Sequence, residues 1–296
     1  MQRSGWSYCG IPLYFSLYDK NKRRMKEHHY VIGDIHGCHT ELLKLLRSIE
    51  QHAKKHQAEI TIISVGDLID RGPESALIVE ELLLRPKHKT FTVMGNHESI
   101  LLELLHEFAP ANFNENPFPD TLETMREHFI RTYPEGSEEE FSLYREQCLI
   151  LWLQQGGDMA LRSYGLDPKS PGQWQLPSSH IHELTDLPLL FEAPHFLVTH
   201  ALASKRDVEN VVSDEVSDAT YFEAASKVMW NRDERGLDPA HKILHISGHT
   251  PLNGIKWRHK KRVLQLDTGC YLGNMMSAYC VETHSFLRSH ALKRYY

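Results

Sequence analysis

Five short motifs combine carboxylate, amide and imidazole side chains in one order along the chain. Hard divalent cations that act on phosphate prefer this mixture of oxygen and nitrogen ligands, with positions left for water and substrate oxygens. The sequence therefore indicates a two-metal hydrolytic centre. The motifs are Gly33–Gly37 (GDIHG), Gly66–Gly72 (GDLIDRG), Gly95–Glu98 (GNHE), Thr199–His200 (TH) and Gly248–Thr250 (GHT).

Six side chains in these motifs are candidate metal ligands. Taken singly, a Gly-Asp pair after a strand is usually a turn, and an isolated histidine is usually an ordinary polar loop residue. Taken together the motifs are more specific, because all of these groups fall at the carboxyl ends of predicted strands. The candidates are Asp34, His36, Asp67, Asn96, His200 and His249.

Alternating strands and helices must position these ligands. Three strand-loop-helix units come first, with strands predicted at 30–33, 60–65 and 91–94 and helices at 40–49, 74–84 and 98–108. The alternation predicts an α/β fold with a parallel sheet, whose site lies in the loops beyond the carboxyl ends of the strands. Further strands are predicted at 195–200, 242–247, 263–267 and 276–283.

The chain divides into three parts by composition. Residues 109–190 are polar and interrupted by prolines, with helices predicted at 121–133 and 138–155, and we interpret them as an inserted helical lid. Met25 stands just before the first strand, as a natural start would. Residues 1–24 are therefore either an appended N-terminal arm, not needed by the core, or a segment before the true start. Residues 25–296 form the main domain.

Length and composition exclude several classes of protein. A chain of 296 residues can bury a substantial core, and its net charge of -6 argues against a broad basic surface for nucleic acid. No apolar run is long enough to span a bilayer, so no membrane partner is expected. The five cysteines are odd in number and lack a CxxC pair, which favours a reducing, cytoplasmic location.

The ordered motifs resemble those of the metal-dependent phosphoprotein phosphatases, especially the small bacterial and bacteriophage-lambda-type serine/threonine phosphatases of the calcineurin-like metallophosphoesterase superfamily. The resemblance covers about residues 29–288 and is weakest in the lid. It implies a β-sandwich core flanked by helices, which refines the parallel-sheet expectation, and a dinuclear metal centre. By resemblance, the first metal binds Asp34 and His36, Asp67 bridges, and the second metal binds Asn96, His200 and His249.

The resemblance also implies which residues handle the substrate. Arg71 and Arg232 match phosphate-binding arginines, whose planar guanidinium can hold two phosphoryl oxygens, and Asn96 is expected to contact phosphate as well. His97, partnered by Asp70, would protonate the leaving alkoxide. Histidines outside the motifs are interpreted as solvated, namely His28, His29, His52, His56, His180 and His182.

Two departures from the family pattern affect the interpretation. The usual His-Ala-Gly is here His200-Ala201-Leu202, which leaves the loop after that ligand uncertain but not the ligand. Pro251 stands where the phosphodiesterase and nuclease branches place another histidine ligand. That difference counts against those branches.

Three functions remain open. The first is a phosphomonoesterase that hydrolyses phosphoserine and phosphothreonine in proteins, with phosphotyrosine as a further candidate, by direct attack of a metal-bound hydroxide. The alternative is a symmetrical dinucleoside tetraphosphate (Ap4A) hydrolase, of similar length. Asp70 and Glu98 favour the phosphomonoesterase. The dinucleotide hydrolases often have another residue at the position of Asp70 and carry aspartate at the position of Glu98.

The third function is a metal-binding regulatory protein without catalysis. Retention of Asp70, Arg71, His97 and Arg232 together disfavours it. The expected cofactor is a pair of divalent metal ions, with Mn²⁺ preferred and Fe or Zn as alternatives, because mixed oxygen and nitrogen ligands suit all three. The expected partner is a phosphorylated protein or a small phosphoester.

Overall fold

The structure is a computed structural model that describes residues 26–115, 117–234 and 243–296. The described strands are β1 Lys26–Ile32, β2 Ala58–Ser64, β3 Lys89–Thr92, β4 Leu190–Ala193, β5 Phe196–Thr199, β6 Leu244–Ser247, β7 Lys256–Arg258, β8 Val263–Gln265, β9 Met275–Cys280 and β10 Ser285–His290. The described α-helices are α1 His39–His56, α2 Ser75–Val79, α3 Asn96–Phe108, α4 Met125–Thr132, α5 Glu138–Trp152, α6 Asp158–Ser163, α7 Ser178–Thr185, α8 Lys205–Val212 and α9 Asp218–Trp230.

Two five-stranded sheets form the core. The first has the order β10-β9-β1-β2-β3 and the second the order β4-β5-β6-β8-β7. Strands β1, β2 and β3 are parallel, as are β5, β6 and β8, whereas the remaining strands pair antiparallel. The parallel-sheet expectation therefore holds for the central strands of each sheet, whereas β4, β7, β9 and β10 pair antiparallel.

Side-chain alternation along β1 explains the layering. Val31 points into a cluster shared by the two sheets, together with Ile63 of β2 and Ile246 of β6. Tyr30 and Ile32, on the opposite face, join the larger cluster that includes the helices. Both faces of β1 are thus apolar and buried over its last three residues, as a strand between two layers requires. The predicted α/β sandwich flanked by helices is confirmed.

Some element boundaries differ from the sequence predictions. Helix α1 continues to His56, beyond the predicted end at residue 49, and stops where Gln57 takes a left-handed conformation. Helix α2 is followed by a wider helical turn at Glu80–Leu84 that completes the predicted segment. For α1, apolar periodicity indicated the buried face but not the polar residues that extend the helix, and for α2 it gave the extent of the segment but not the change of helix type.

The region predicted as a lid packs against the same core. Helices α4 to α7 lie there, and the described residues of 109–189 contain no strand. Trp152 and Trp174 are buried with ring centroids 5.9 Å apart, in the cluster shared with α1 and α3. The predicted arm, residues 1–24, lies outside the described residues. Within the described part, no helix is both long and apolar enough to cross a membrane.

Candidate metal centre and active site

The loops after the parallel strands bring the six candidate ligands together. Asp34 and His36 follow β1, Asp67 follows β2, and Asn96 begins α3 after β3. In the second sheet, His200 follows β5 and His249 follows β6. Each of the six side chains is at most 5% exposed. The carboxyl ends of both sets of parallel strands therefore open on one site, as predicted for this topology.

Asp67 lies between two groups of candidate ligands. Its Oδ2 is 3.3 Å from Nε2 of His36, whereas its Oδ1 is 3.4 Å from Nε2 of His200. Two clusters with ligand atoms within 4.8 Å of one another share it: one with His36 and His97, the other with His200 and His249. A carboxylate whose two oxygens face different histidines has the geometry of a bridging ligand.

The remaining candidates complete this arrangement. The amide Oδ1 of Asn96 is 2.9 Å from Nε2 of His200 and 2.8 Å from Nδ1 of His249, and those two nitrogens are 3.2 Å apart. Three ligand atoms thus converge on one point. Asp34 lies beside them, and both its oxygens accept the backbone N–H of His249, at 3.1 and 3.0 Å.

Hydrogen bonds to backbone carbonyls orient the histidine rings. Nδ1 of His36 donates to the carbonyl of Ile69 at 2.9 Å, and Nδ1 of His200 donates to that of Val65 at 2.7 Å. Nε2 of His249 is 3.1 Å from the carbonyl of Trp230. Such contacts fix the tautomer and leave the other nitrogen of each ring for a cation.

The charges of the buried site residues also indicate a site for metal cations. Burial and the nearby carboxylates of Asp267 and Asp67 hold the pKa of Asp34 well above its usual range, and burial raises the pKa of Asp267 to about 6. Burial lowers the pKa of His36 and of His200, so both rings are neutral. Crowded buried carboxylates beside neutral imidazoles require positive charge, and two divalent cations fit these residues.

Several site residues adopt a strained backbone. His36, Asp67, Asp70, Arg71 and His249 all have φ between 47° and 69°, in the left-handed region that non-glycine residues rarely occupy. A Cβ on Gly248 would lie 1.9 Å from Oδ1 of Asp34, so only glycine fits at this position. Strain concentrated on these residues is typical of a functional site held by its surroundings.

The two predicted phosphate-binding arginines lie at opposite sides of the centre. Nη2 of Arg71 is 3.0 Å from Nε2 of His97, and its guanidinium carbon is 4.2 Å from the ring centroid of Tyr271. Nε of Arg71 is buried without a hydrogen-bond partner among the described residues. Arg232 is exposed, and its Nε is 3.1 Å from Nε2 of His249. Both guanidinium groups can therefore reach an anion at the centre.

His97 and Asp70 form the predicted pair. Nδ1 of His97 is 2.6 Å from Oδ2 of Asp70, which also accepts the indole N–H of Trp152 at 2.7 Å. Burial alone would lower the pKa of His97, but the carboxylates of Asp67 and Asp70 outweigh it and raise that pKa. The contact with Asp70 thus holds the imidazole in place.

Three contributors were not assigned a role from the sequence. Trp152 comes from α5, and its contact with Asp70 joins residues 82 positions apart, so no local pattern announces it. Asp267 lies two residues after β8, and this position at the end of a parallel strand was the sequence feature that could have indicated a place in the site. Its Oδ2 is buried without a hydrogen bond to any described residue. The third is Glu98.

Glu98 organises the loop that carries Asp67. Its Oε2 accepts the N–H groups of Asp67 at 2.9 Å and Gly95 at 3.1 Å. Its Oε1 accepts those of Leu68 at 2.8 Å and Ile69 at 3.2 Å. One buried carboxylate thus satisfies four backbone donors and fixes the strained turn at Asp67.

We expect Glu98→Gln to lower the free energy of unfolding, because the amide turns an N–H₂ group toward backbone donors. Each buried backbone N–H left without an acceptor costs roughly 1–3 kcal/mol. Urea unfolding followed by circular dichroism measures the change. Glu139→Gln, the same change on an exposed turn of α5, is the matched control and should change little. Equal stability of the two variants would contradict the role of Glu98.

Comparison with known proteins agrees with this geometry. The profile of the calcineurin-like phosphoesterase family matches residues 29–270. The chain belongs to the calcineurin-like phosphoesterase family. The family uses a dinuclear metal centre, and this member is accordingly a phosphoester hydrolase. The resemblance drawn from the motifs is confirmed at this level, whereas the role of each residue stays a prediction.

The named relatives of this phosphoesterase divide between two substrates. A symmetrical bis(5'-nucleosyl)-tetraphosphatase of Aliivibrio fischeri is 24% identical over 294 residues, which cover 90% of this chain and 99% of that protein. Serine/threonine-protein phosphatase 1 of Salmonella typhimurium is 39% identical over 87 residues, 29% of this chain and 37% of that protein. A crystal structure of a candidate diadenosine tetraphosphatase has a TM-score of 0.54 and 20% identity, covering 90% of this chain and 94% of its own.

Proposed function

We propose that this phosphoesterase is a phosphomonoesterase that hydrolyses phosphoserine and phosphothreonine in proteins, with phosphotyrosine as a further substrate. The supporting observation is the His97 ring, fixed by the 2.6 Å contact with Asp70. A serine or threonine alkoxide is a poor leaving group and needs a proton as it departs. A buried imidazole held by a carboxylate is suited to that task.

Each residue has a defined part in this proposal. Asp34, His36, Asp67, Asn96, His200 and His249 would hold two divalent cations, for which Mn²⁺ remains our preferred choice. When bound, the cations supply an activated water and polarise the phosphoryl oxygens. Arg71 and Arg232 bind the phosphoryl group from two sides, which orients phosphorus for in-line attack. His97 donates the proton to the leaving oxygen.

A second candidate is symmetrical hydrolysis of dinucleoside tetraphosphates. The relative that aligns along nearly its whole length carries that name. The rings of Tyr271 and Tyr296 lie 4.2 and 5.8 Å from the Arg71 guanidinium, so aromatic surface for a base adjoins the phosphate site. The leaving group would be a nucleoside diphosphate, which needs no general acid. The His97–Asp70 pair therefore favours the monoester.

A parallel turnover assay separates the two functions. Mn²⁺-loaded enzyme would be given a phosphoserine peptide or diadenosine tetraphosphate, over matched concentrations, with kcat/KM measured for each. We expect the phosphopeptide to have the higher kcat/KM. A strong preference for the dinucleotide would reverse our ranking, and hydrolysis of neither would exclude both substrates.

We expect Arg71→Ala and Arg232→Ala each to lower kcat/KM by at least about tenfold. Each removes charged hydrogen bonds to phosphate worth roughly 1.5–3 kcal/mol, and about 1.4 kcal/mol corresponds to one decade in rate. Steady-state kinetics and inhibition by inorganic phosphate measure the loss.

Arg47→Ala, on the exposed face of α1, is the control and should behave as wild type. Arg71→Lys keeps the charge but not the planar fork, so it should recover only part of the loss. If Arg232→Ala retained wild-type turnover and phosphate inhibition, that arginine would lie outside the substrate site.

A further inference from the structure

A second group of metal-binding side chains lies away from the active site, between α1, β1 and β9. Alternation along β1 puts His28 on the same face as Tyr30, and Cys280 of β9 pairs directly opposite Tyr30. Helix α1 packs on this face of the sheet and carries His52 and His56, four residues apart and so on one side of the helix. We call His28, His52, His56 and Cys280 the His/Cys cluster.

Distances within the His/Cys cluster suit a single cation. Ligand atoms of His28, His52 and Cys280 all lie within 4.8 Å of one another. Sγ of Cys280 is 3.8 Å from Nδ1 of His28, close to the roughly 3.6 Å that a tetrahedral zinc site with ordinary bond lengths would give. His56 is not one of these three, but its ring centroid is 4.5 Å from that of His52 and 5.6 Å from that of His28, so a change of rotamer of this exposed side chain would supply a fourth ligand.

The surroundings resemble those of a structural metal site. His28 and Cys280 are buried, and the sequence interpretation of His28 as solvated is therefore wrong. The Tyr30 hydroxyl lies 2.9 Å from Nδ1 of His52 and fixes that ring. Oε2 of Glu282 is 3.8 Å from the Cys280 sulfur and adds negative charge. His56 is exposed at the end of α1, where an ion can enter.

An opening leads to the His/Cys cluster from solvent. It has a volume of about 450 Å³, and two of the cluster histidines form part of its wall. Its two carboxylates outnumber its one ammonium group, so the opening favours a cation. The lining residues are Lys26, Glu27, His28, His56, Glu282 and Thr283.

We propose that the His/Cys cluster binds a thiophilic divalent cation of the zinc type, which joins the end of α1 to β1 and β9. One thiolate and three imidazoles form a soft ligand set that selects zinc over manganese or magnesium. The active centre, built from oxygen and nitrogen ligands, has no such preference. The two centres should therefore differ in metal selectivity, and the proposal does not depend on which phosphoester is hydrolysed.

Cobalt distinguishes the two centres, because the His/Cys cluster includes a thiol whereas none of the six candidate ligands of the active centre is a cysteine. Metal-free protein would be titrated with Co²⁺ after Mn²⁺ has filled the active centre. We expect a thiolate-to-cobalt charge-transfer band in the near-ultraviolet that saturates at one equivalent. Cys280→Ser should abolish the band, whereas Cys148→Ser, a half-buried free cysteine of α5, should retain it.

Zinc binding gives an independent measurement. Because Zn²⁺ can exchange with Mn²⁺ at the active centre, total metal content is measured: it should rise by one equivalent per chain when Zn²⁺ is added to the Mn²⁺-loaded protein, with an increase in the thermal midpoint. His56→Gln changes an exposed residue and should leave the fold intact while weakening this binding at least about tenfold. No additional equivalent of Zn²⁺ in wild-type protein, or a cobalt band that survives Cys280→Ser, would overturn the proposal.

Discussion

Replacing Asp67 with asparagine should abolish turnover and reduce metal content below the two equivalents expected for the wild-type phosphoesterase. The two oxygens of Asp67 face different histidines, at 3.3 Å from His36 and 3.4 Å from His200. An asparagine offers one oxygen and no charge, so it cannot serve both sides. The negative charge is therefore what the asparagine variant loses.

Metal analysis after dialysis against metal-free buffer measures the effect directly, apart from activity. Asp34→Asn should chiefly empty the first site and leave the second one filled, because Asp34 is predicted to bind the first metal only. Asp186→Asn, an exposed aspartate after α7, should retain both equivalents. Two full equivalents on Asp67→Asn, with an unchanged thermal midpoint, would contradict the bridging assignment.

The sequence was sufficient for those parts of the site that depend on strand ends. Asp34, Asp67 and Asn96 each follow an apolar run within a few residues, and His200 and His249 do the same in the second half. Parallel strands place their carboxyl ends at one edge, so local patterns predicted that distant residues would meet. The structure brings all six candidate ligands together for this reason.

Contacts across long sequence separations could not be predicted in this way. The bond from Trp152 to Asp70 depends on how α5 packs, and the four bonds to Glu98 depend on where α3 begins relative to the Asp67 turn. The histidines outside the motifs were interpreted as solvated because polarity was the only local signal. That interpretation is wrong for His28, which is buried between β1 and α1, and for His180 of α7, which is buried beside Tyr164. The antiparallel pairing of β4, β7, β9 and β10 was not predicted either, since the direction of pairing depends on how strands are connected rather than on their composition.

Two parts of the fold hold the His97–Asp70 pair in place, which affects the choice between the two substrates. Asp70 lies in the turn after β2, and Trp152 from the predicted lid fixes the same carboxylate oxygen. The backbone N–H of Arg71 donates to the carbonyl of Gly156 at 3.1 Å, a second link to that region. The helical region therefore positions both the proposed acid and one of the two arginines proposed to bind phosphate. A substrate that needs both groups gains most from this arrangement.

We expect His97→Asn to impair hydrolysis of a phosphoserine peptide far more than hydrolysis of p-nitrophenyl phosphate. Serine departs as a strongly basic alkoxide, whereas nitrophenolate is stable without a proton. General acid catalysis is typically worth about 10²–10⁴-fold, so kcat on the peptide should fall by that factor more than kcat on the aryl ester. Steady-state kinetics on both substrates, with metal content measured on the same samples, provide the comparison.

Two further variants test whether the acid works as a supported pair. Asp70→Asn should show the same contrast between substrates more weakly, because Asp70 orients the imidazole without touching the leaving oxygen. Trp152→Phe should show a smaller contrast again, since it removes only the 2.7 Å bond to Asp70. Hydrolysis of diadenosine tetraphosphate, if any, should respond to His97→Asn as the aryl ester does, because its leaving group also departs without a proton. Equal losses on peptide and aryl ester would remove the acid role. Loss of metal in His97→Asn would instead make His97 a ligand, consistent with its Nε2 lying 3.9 Å from Oδ2 of Asp67.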